Sequence, residues 1–152
     1  MAYKKVDVKY PHGSAAHRMV TEVVKVRKQN TIASVIKILK ESKKFKITDY
    51  IYVLDNNDRL VGVISIDKLF NHKKNTHVDK VMKKNPVTVN PETDQENVVH
   101  LALKYGIKAV PVVEKGRLLG VVGSKEILHI LNRSLQEDIL HFAGIHKSHL
   151  QY

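Results

Sequence analysis

The chain of 152 residues contains no cysteine and no tryptophan, and only three phenylalanines and four prolines. Without cysteine it can form neither a disulfide framework nor a thiolate metal site, which agrees with a reducing compartment such as the cytosol. No apolar run approaches the roughly 20 residues that a membrane-spanning helix needs. The N-terminal residues also lack the apolar segment of a signal peptide. We therefore expect a soluble, cytoplasmic chain.

The sequence is also short of acidic residues, with 15 against 26 lysines and arginines, for a formal net charge of +11. A basic surface favours polyanions such as nucleic acid, anionic lipid or nucleotide phosphate. The lysines are spread in short pairs at residues 43–44, 73–74 and 83–84, and few aromatic side chains are available to stack on bases. We expect a well-solvated surface, and a basic nucleic-acid-binding module stays only as an alternative.

Signatures of catalysis are absent from the sequence. It has no cysteine nucleophile, no Gly-x-Ser-x-Gly elbow, no glycine-rich phosphate loop and no metal-protease motif, so we predict no enzyme and no catalytic residues. None of the nine histidines are paired at the i, i+4 spacing that places two imidazoles on one helix face. We interpret them as exposed titrating side chains and predict no metal-ligating residues. The histidines near the middle and the end are His72, His77, His141, His146 and His149.

The most informative feature is an internal repeat. Residues 24–26 match residues 87–89, which lie 63 positions later, and residues 59–65 match residues 117–123, which lie 58 positions later. Self-similarity of this kind indicates a duplicated structural unit. The difference in offset falls near residues 41–49, where the first copy has a longer connection, and a loop absorbs such an insertion at little cost.

Each copy is predicted to run strand, helix, strand, turn, strand, helix. The first has strands at 24–26, 51–54 and 60–64, with its hairpin turn at 55–58. The second has strands at 87–89, 109–113 and 118–122, with Pro111 expected at an edge or a bulge because it cannot donate a ladder bond. Apolar residues at helical spacing predict the inward faces of the helices. They are Ile32, Val35, Ile36 and Leu39 in the first copy, and Val98, Leu101, Ala102 and Tyr105 in the second.

Polar residues and glycines predict where the helices begin and end. Residues 93–96 read as a capping box in which the Thr93 hydroxyl accepts from the amide of Glu96. Gly106 is expected to stop that helix because it tolerates left-handed dihedral angles. Ser124 is expected to cap a final helix, and residues 134–137 read as a further capping box that starts another helix.

These elements predict an α/β (α+β) fold of two motifs related by a pseudo-twofold axis, each a small mixed sheet with flanking helices. Neither half is large enough to bury both faces of its sheet, so the two should pack around one shared core. We divide the chain into an N-terminal extension (1–13), a first motif (14–78), a second motif (79–133) and a C-terminal helical tail (134–152).

The glycine-containing strand that runs into a helix, in residues 60–65 and 118–123, and the proline element at 110–113 resemble the CBS domain family. The duplication resembles a tandem CBS pair. Residues 49–55, 93–99 and 136–145 are similar to the cytosolic CBS region of MgtE-type magnesium transporters. Such transporters also carry an acidic helical domain and a transmembrane bundle, and neither occurs in these 152 residues.

The resemblance implies a regulatory module that forms a homodimer and senses a small-molecule ligand. It would act on a membrane transport domain, in the same chain or in another, at the cytoplasmic face of the membrane. The alternative is a stand-alone CBS protein that binds an adenine nucleotide. Because the resemblance covers only the CBS region, a part of a transporter, a free-standing relative and a truncated product all stay open.

The family's ligand pattern is Gly, two apolar residues, Ser or Thr, two residues, then Asp. The resemblance implies that the Asp accepts from ribose hydroxyls and that the hydroxyl side chain meets a phosphate at a helix start. The first copy keeps Ser65 but has Lys68 in place of Asp, whereas the second has Gly123 in place of Ser or Thr and keeps an acid as Glu126.

The resemblance therefore implies an adenine nucleotide (ATP, ADP or AMP) as ligand, with Mg²⁺ as a second candidate. Carboxylates are few and scattered, so no Mg²⁺ site is predicted within this chain. Equally open is the interpretation that the serines and Glu126 only stabilise helix starts. The hypothetical nucleotide-binding residues are Thr21, Ser65, Lys68, Thr88, Pro111, Ser124 and Glu126.

Overall fold

The structure is a computed structural model that describes residues 10–42 and 49–150, with side chains as far as residue 138. Most of the predicted N-terminal extension, and much of the long connection of the first copy, lie outside the described residues. So do the side chains of His141, His146 and His149.

The described residues form two small sheets. Their strands are β1 (Lys25–Arg27), β2 (Tyr50–Leu54), β3 (Leu60–Ser65), β4 (Lys83–Lys84), β5 (Val110–Glu114) and β6 (Arg117–Val122). The first sheet has the order β1-β2-β3-β4, in which β1 and β2 are parallel and the other pairs are antiparallel. The second is the antiparallel hairpin β5-β6, with a register shift between Val112 and Val113 just after Pro111.

Four α-helices accompany the sheets: α1 (Ile32–Glu41), α2 (Ile66–Leu69), α3 (Gln95–Tyr105) and α4 (Ser124–Leu150). Short 3-10 turns at Ala15–His17 and Val78–Lys80 lie at the starts of the two motifs. The α+β class is confirmed, and the predicted order of elements is observed except for one strand. The strand predicted at residues 87–89 is wrong, because only Val89 forms a single parallel bridge, to Val112. Pro86 and the left-handed Asn85 (φ 53°) interrupt the extended backbone before it.

Three of the predictions for helix starts are wrong. At α3 the helix follows Asp94, and the Thr93 hydroxyl accepts from the amide of Asn90 (3.2 Å) instead of from the helix. The reciprocal box occurs at α1, where the Thr31 hydroxyl accepts from the amide of Ser34 and the Ser34 hydroxyl accepts from the amide of Thr31. A serine at the third helical position is a weaker sequence signal than the Glu or Gln of the usual box.

The long helix α4 runs through Ser134 without a break, so no second helix starts there. Ser124 is its first residue and not its cap, because Gly123 occupies the position before the helix. Gly106 ends α3 as predicted, with a left-handed φ of 64°, and the amide of Ile107 donates to the Ala102 carbonyl (3.0 Å).

Hydrophobic residues form three clusters, one within each motif and one between them. The predicted inner faces of α1 and α3 are confirmed for Ile32, Val35, Val98 and Ala102, which are buried. Tyr105 differs, because 52% of it is exposed. The central cluster takes residues from both motifs: Val20, Val23, Tyr52, Leu54, Ala109, Leu118 and Val121. The predicted shared core is therefore confirmed.

Each motif begins with a leading segment, residues 13–21 in the first and 76–84 in the second, that packs against the other motif. Ala15 and Met19 belong to the core of the second motif, and Val78 belongs to that of the first. Hydrogen bonds repeat at the 63-residue offset of the sequence. They are Ala15 N to Thr93 O (2.7 Å) with Val78 N to Asn30 O (2.8 Å), and Gln95 N to Gly13 O (2.9 Å) with Ile32 N to Thr76 O (2.9 Å). The pseudo-twofold relation is thus an exchange of leading segments.

The two strand glycines make this exchange possible. A Cβ placed on Gly120 would lie 2.8 Å from the Val20 carbonyl oxygen and 2.9 Å from Cγ of Met19. A Cβ on Gly62 would likewise lie 2.7 Å from Cγ of Met82. Each glycine therefore leaves the space that the leading segment of the other motif fills.

Gln95 adds a polar tie at the same boundary. Its side-chain amide donates to the Ser14 carbonyl (2.9 Å) and to the His12 carbonyl (3.3 Å), while its oxygen accepts from Arg133 of α4 (3.1 Å). Gln95 is 3% exposed, so these bonds satisfy a buried amide. They join the first leading segment to α3 and α4.

We predict that Gly120→Ala lowers the free energy of unfolding by about 1–3 kcal/mol, because the new methyl group overpacks the contact with Met19 and Val20. Urea denaturation followed by circular dichroism measures the loss. Gly13→Ala is the matched control, since a Cβ there lies 3.8 Å from its nearest neighbour, an Asp94 oxygen. A loss no greater for Gly120→Ala than for Gly13→Ala would contradict the proposed role of this glycine.

Candidate ligand-binding site

A cleft of about 350 Å³ lies between the two motifs, in the size range of small-molecule sites. One wall belongs to the first motif and the other to the second, with the segment that joins them along one side. The lining residues are Tyr50, Val63, Ile64, Ser65, Lys68, Val81, Lys83, Asn85, Pro86, Val87, Tyr105, Gly106, Ile107, Ala109 and Pro111.

The wall from the first motif is the end of β3 and the short helix that follows. Ser65 is half-buried and immediately precedes α2, and its side chain makes no capping bond. Lys68 is exposed on α2, while the neighbouring Leu69 anchors that helix in the core at 0% exposure. The buried leucine fixes the backbone from which Lys68 reaches the cleft.

The opposite wall is the end of α3 and the start of β5. The left-handed Gly106 turns the chain sharply, so that Tyr105 and Ile107 both reach the cleft. Pro111 is buried within β5. The Tyr50 hydroxyl accepts from the amide of Lys108 (3.2 Å), and this bond joins the two walls.

The cleft has a positive lining. Lys68 and Lys83 are the charged residues that line it, and no Asp or Glu lines it. Beneath it in the shared core, burial raises the pKa of the Tyr52 hydroxyl, with smaller contributions from Tyr50 and Asp49. Tyr52 is therefore neutral at physiological pH, and the lysines set the charge of the cleft.

Three of the residues predicted from sequence meet in this cleft: Ser65, Lys68 and Pro111. Thr88 is exposed and follows Val87, which lines the cleft, but Thr88 itself does not. The other three belong to the side related by pseudo-symmetry. Thr21 is half-buried next to Val20, which pairs with Val121 at the end of β6.

On that second side, Glu126 is turned toward the start of its own helix. Its Oε1 accepts from the amide of Gly123 (3.0 Å), and only 6% of the residue is exposed. A Cβ on Gly123 would lie 2.7 Å from this same oxygen. A Ser or Thr at residue 123 would therefore collide with the Glu126 carboxylate, so the glycine at 123 and the position of Glu126 depend on each other. Ser124 is exposed on the first turn.

Sequence reasoning missed Lys83, Tyr50, Tyr105 and Asn85 as lining residues. Lys83 lies 63 positions after Val20, so extending the repeat by a few residues would have placed it beside the predicted cleft. Tyr105 fits the apolar spacing of α3, which predicts it on the inner face of that helix. Its position just before the left-handed Gly106 is what exposes it.

Comparison with known proteins finds one family in both motifs and a relative along nearly the whole chain. The sequence pattern of the CBS domain matches residues 15–75 and 78–133. The magnesium transporter MgtE of Thermus thermophilus is 34% identical over 146 residues, which is 95% of this chain and 32% of the transporter. The chain thus spans less than half of that relative.

Two solved structures have a similar fold and a similar sequence. The cytosolic domain of the Mg²⁺ channel MgtE in complex with ATP is 34% identical, with a TM-score of 0.75, and the match covers 80% of this chain and 50% of that one. The soluble part of a magnesium transporter is 29% identical, with a TM-score of 0.78, over 84% of this chain and 50% of the other. Among the described residues here, no helix is both long and apolar enough to span a bilayer.

We predict that Gly123→Ser lowers the free energy of unfolding by about 1 kcal/mol, because the added atoms displace the Glu126 carboxylate from the helix start. The cost should shrink in a Glu126→Ala background, where that oxygen is gone. Thermal and urea unfolding of the four chains of this double-mutant cycle measure the coupling. Ser124→Ala, at an exposed position, is the control and should change stability by less than about 0.5 kcal/mol. Equal costs of Gly123→Ser in both backgrounds would contradict the linkage.

Proposed function

Because the chain belongs to the CBS domain family, we propose that it is a regulatory module that binds an adenine nucleotide between its two motifs and controls a magnesium transport domain. It has a sensing role and no catalytic one. The module acts at the cytoplasmic face of the membrane, with its transport domain in the same chain or in a partner.

The observation that carries the proposal is the composition of the inter-motif cleft. Lys68 and Lys83 provide two cations for phosphate groups, with no acidic residue in the lining to oppose them. Tyr105 and the Pro111 region offer flat, partly apolar surfaces for a purine base. The volume of about 350 Å³ is adequate for much of a nucleotide.

The lining also limits how a nucleotide can bind. Without the family's Asp, the ribose hydroxyls have no carboxylate to donate to, so binding depends more on phosphate contacts to the lysines. This favours the more highly charged ATP and ADP over AMP. The ATP complex of the MgtE cytosolic domain supports the same ligand class.

Both walls of the cleft would touch one ligand. A nucleotide that fits one arrangement of the two motifs better than another shifts the population toward that arrangement, and only such differential affinity can pass a signal on. Mg²⁺ has two roles in this proposal: the transport domain carries it, and it is usually bound to the phosphates of ATP. Among the described residues, no three His, Asp or Glu side chains are placed to hold a metal ion. Mg²⁺ therefore stays a second candidate ligand, with no site assigned to it in this chain.

We predict that the chain binds ATP and that Lys68→Ala weakens binding about tenfold or more, since a hydrogen bond to a charged group contributes about 1.5–3 kcal/mol. Isothermal titration calorimetry at two salt concentrations measures the dissociation constant. Binding should weaken as salt rises, because phosphate contacts are screened.

Lys37→Ala is the matched control for this test, because Lys37 is an exposed lysine on α1 and does not line the cleft. It should leave ATP affinity unchanged. Absence of ATP binding by the native chain, or equal losses for the two lysine variants, would refute the proposed ligand or its position.

The proposed assembly is a homodimer formed through α4. Leu128 and Leu135 are 65% and 54% exposed, and with Leu131 they recur on one face of the helix at spacings of three and four residues. Leu103 on α3, which packs beside α4, is 69% exposed. An apolar stripe of this kind is typical of a surface that is covered in an assembly.

We predict that Leu128→Glu converts the dimer to a monomer, since a charge in the middle of an apolar interface must lose its hydration. Light scattering coupled to size-exclusion chromatography measures the mass. Phe70→Glu is the control, because Phe70 is similarly exposed, at 64%, but lies at the end of α2 and not on α4. A native chain that is monomeric at tens of micromolar, or a dimer that survives Leu128→Glu, would rule out this interface.

A further inference from the structure

A second groove lies on the reverse face of β4 from the nucleotide cleft. It has a volume of about 410 Å³ and is lined by Lys28, Lys80 and Lys84, with Leu60 and Met82 as an apolar floor. The two sites share Asn85, which has a left-handed φ of 53°. We call this site the β4 groove.

Alternation along the leading segment of the second motif explains the two faces. Successive side chains of an extended segment point to opposite sides. Lys83 accordingly lines the nucleotide cleft, whereas Met82 and Lys84 line the β4 groove. Pairing of Lys84 with Gly62 and of Lys83 with Val63 holds this short strand against β3. A single strand therefore separates two basic sites.

The rest of the groove is held by backbone contacts. The amide of Lys28 donates to the Leu54 carbonyl (3.1 Å), and the Lys28 carbonyl accepts from the amide of Asp79 (3.3 Å). These bonds connect the turn after β1 to the 3-10 turn Val78–Lys80. The lysine side chains are exposed on a backbone that is fixed from both motifs.

Asp79 supplies a feature that surface lysines alone would not. It lines the β4 groove, and its Oδ1 is buried without a hydrogen-bond partner among the described residues. No lysine nitrogen in the described part of the chain lies within ion-pair distance of it. Because Oδ1 is closed to the groove, a bound molecule would donate its hydrogen bond to the part of the half-buried carboxylate that faces the groove, and this bond would offset the cost of the group's lost hydration.

We propose that the β4 groove binds a small phosphate ester that carries a free hydroxyl or amino group, with the phosphate on the three lysines and the donor on Asp79. Occupancy lowers the affinity of the neighbouring cleft for its nucleotide, a consequence that rests on the proposed function. The reason is electrostatic, because two anions on either side of one strand repel each other at a distance comparable to the Debye length of about 8–10 Å.

Ribose 5-phosphate is the probe, with inorganic phosphate as the ligand that lacks a donor. Titration of the complete chain, followed by ¹⁵N–¹H correlation spectra, should give saturable shifts that centre on Lys28, Lys80 and Lys84. Shifts that centre instead on Ser65 and Tyr105 would overturn the assignment, because they mark the nucleotide cleft.

Two variants test the groove chemistry. Lys84→Ala should weaken ribose 5-phosphate and inorganic phosphate alike, by at least threefold, while Lys37→Ala changes neither. Asp79→Asn should weaken ribose 5-phosphate at least fivefold and leave inorganic phosphate as tight or tighter, since it removes a negative charge. Parallel losses of both ligands in Asp79→Asn, or none in Lys84→Ala, would overturn the proposal.

A separate measurement tests whether occupancy of the β4 groove lowers the affinity of the cleft for ATP. Saturating ribose 5-phosphate should raise the dissociation constant for ATP at least threefold at low salt and less at high salt. An unchanged constant would refute the antagonism. If ATP fails to bind at all, the proposed function falls, while the spectra with ribose 5-phosphate still decide whether the β4 groove is a site.

Discussion

The structure depends on the exchange of leading segments between the two motifs. Met19 fills the space above Gly120 in the second motif, and Met82 fills the equivalent space above Gly62 in the first. Each motif is therefore completed by residues that belong, in sequence, to the other. Such an arrangement makes the pair one cooperative unit, since neither core keeps all its contacts when the other is removed.

The position of the cleft follows from this exchange. Lys83 and Pro86 reach the first motif only because the segment before the second motif crosses over to pair with β3. A ligand there contacts both motifs and the connection between them. For the proposed nucleotide, the basic lining and the missing ribose carboxylate would make phosphate charge the main determinant of affinity, and the module would respond to the charge state of the nucleotide by that means.

Much of the fold could be predicted from the sequence, because the repeat carries both the glycine strands and the order of elements. The caps at the helix starts could not, because several side chains compete for the same backbone amides. The Thr93 hydroxyl accepts from the amide of Asn90, and at α1 Ser34 takes the place that Glu or Gln has in the usual capping box. Some residues of the candidate site could likewise be predicted from the sequence and others could not. Ser65 and Lys68 follow from the family pattern, whereas Tyr105 reaches the cleft through the single left-handed turn at Gly106, which periodicity along a helix does not register.

The unbroken course of α4 has a geometric consequence. Its first turn, which contains Glu126, lies near the pairing of Val20 with β6 at the boundary between the motifs. From there its 27 residues extend about 40 Å. A rigid rod of that length acts as a lever. A tilt of about 10° at its base would sweep its tip through about 7 Å, so a small rearrangement at the boundary between the motifs would be amplified along the helix.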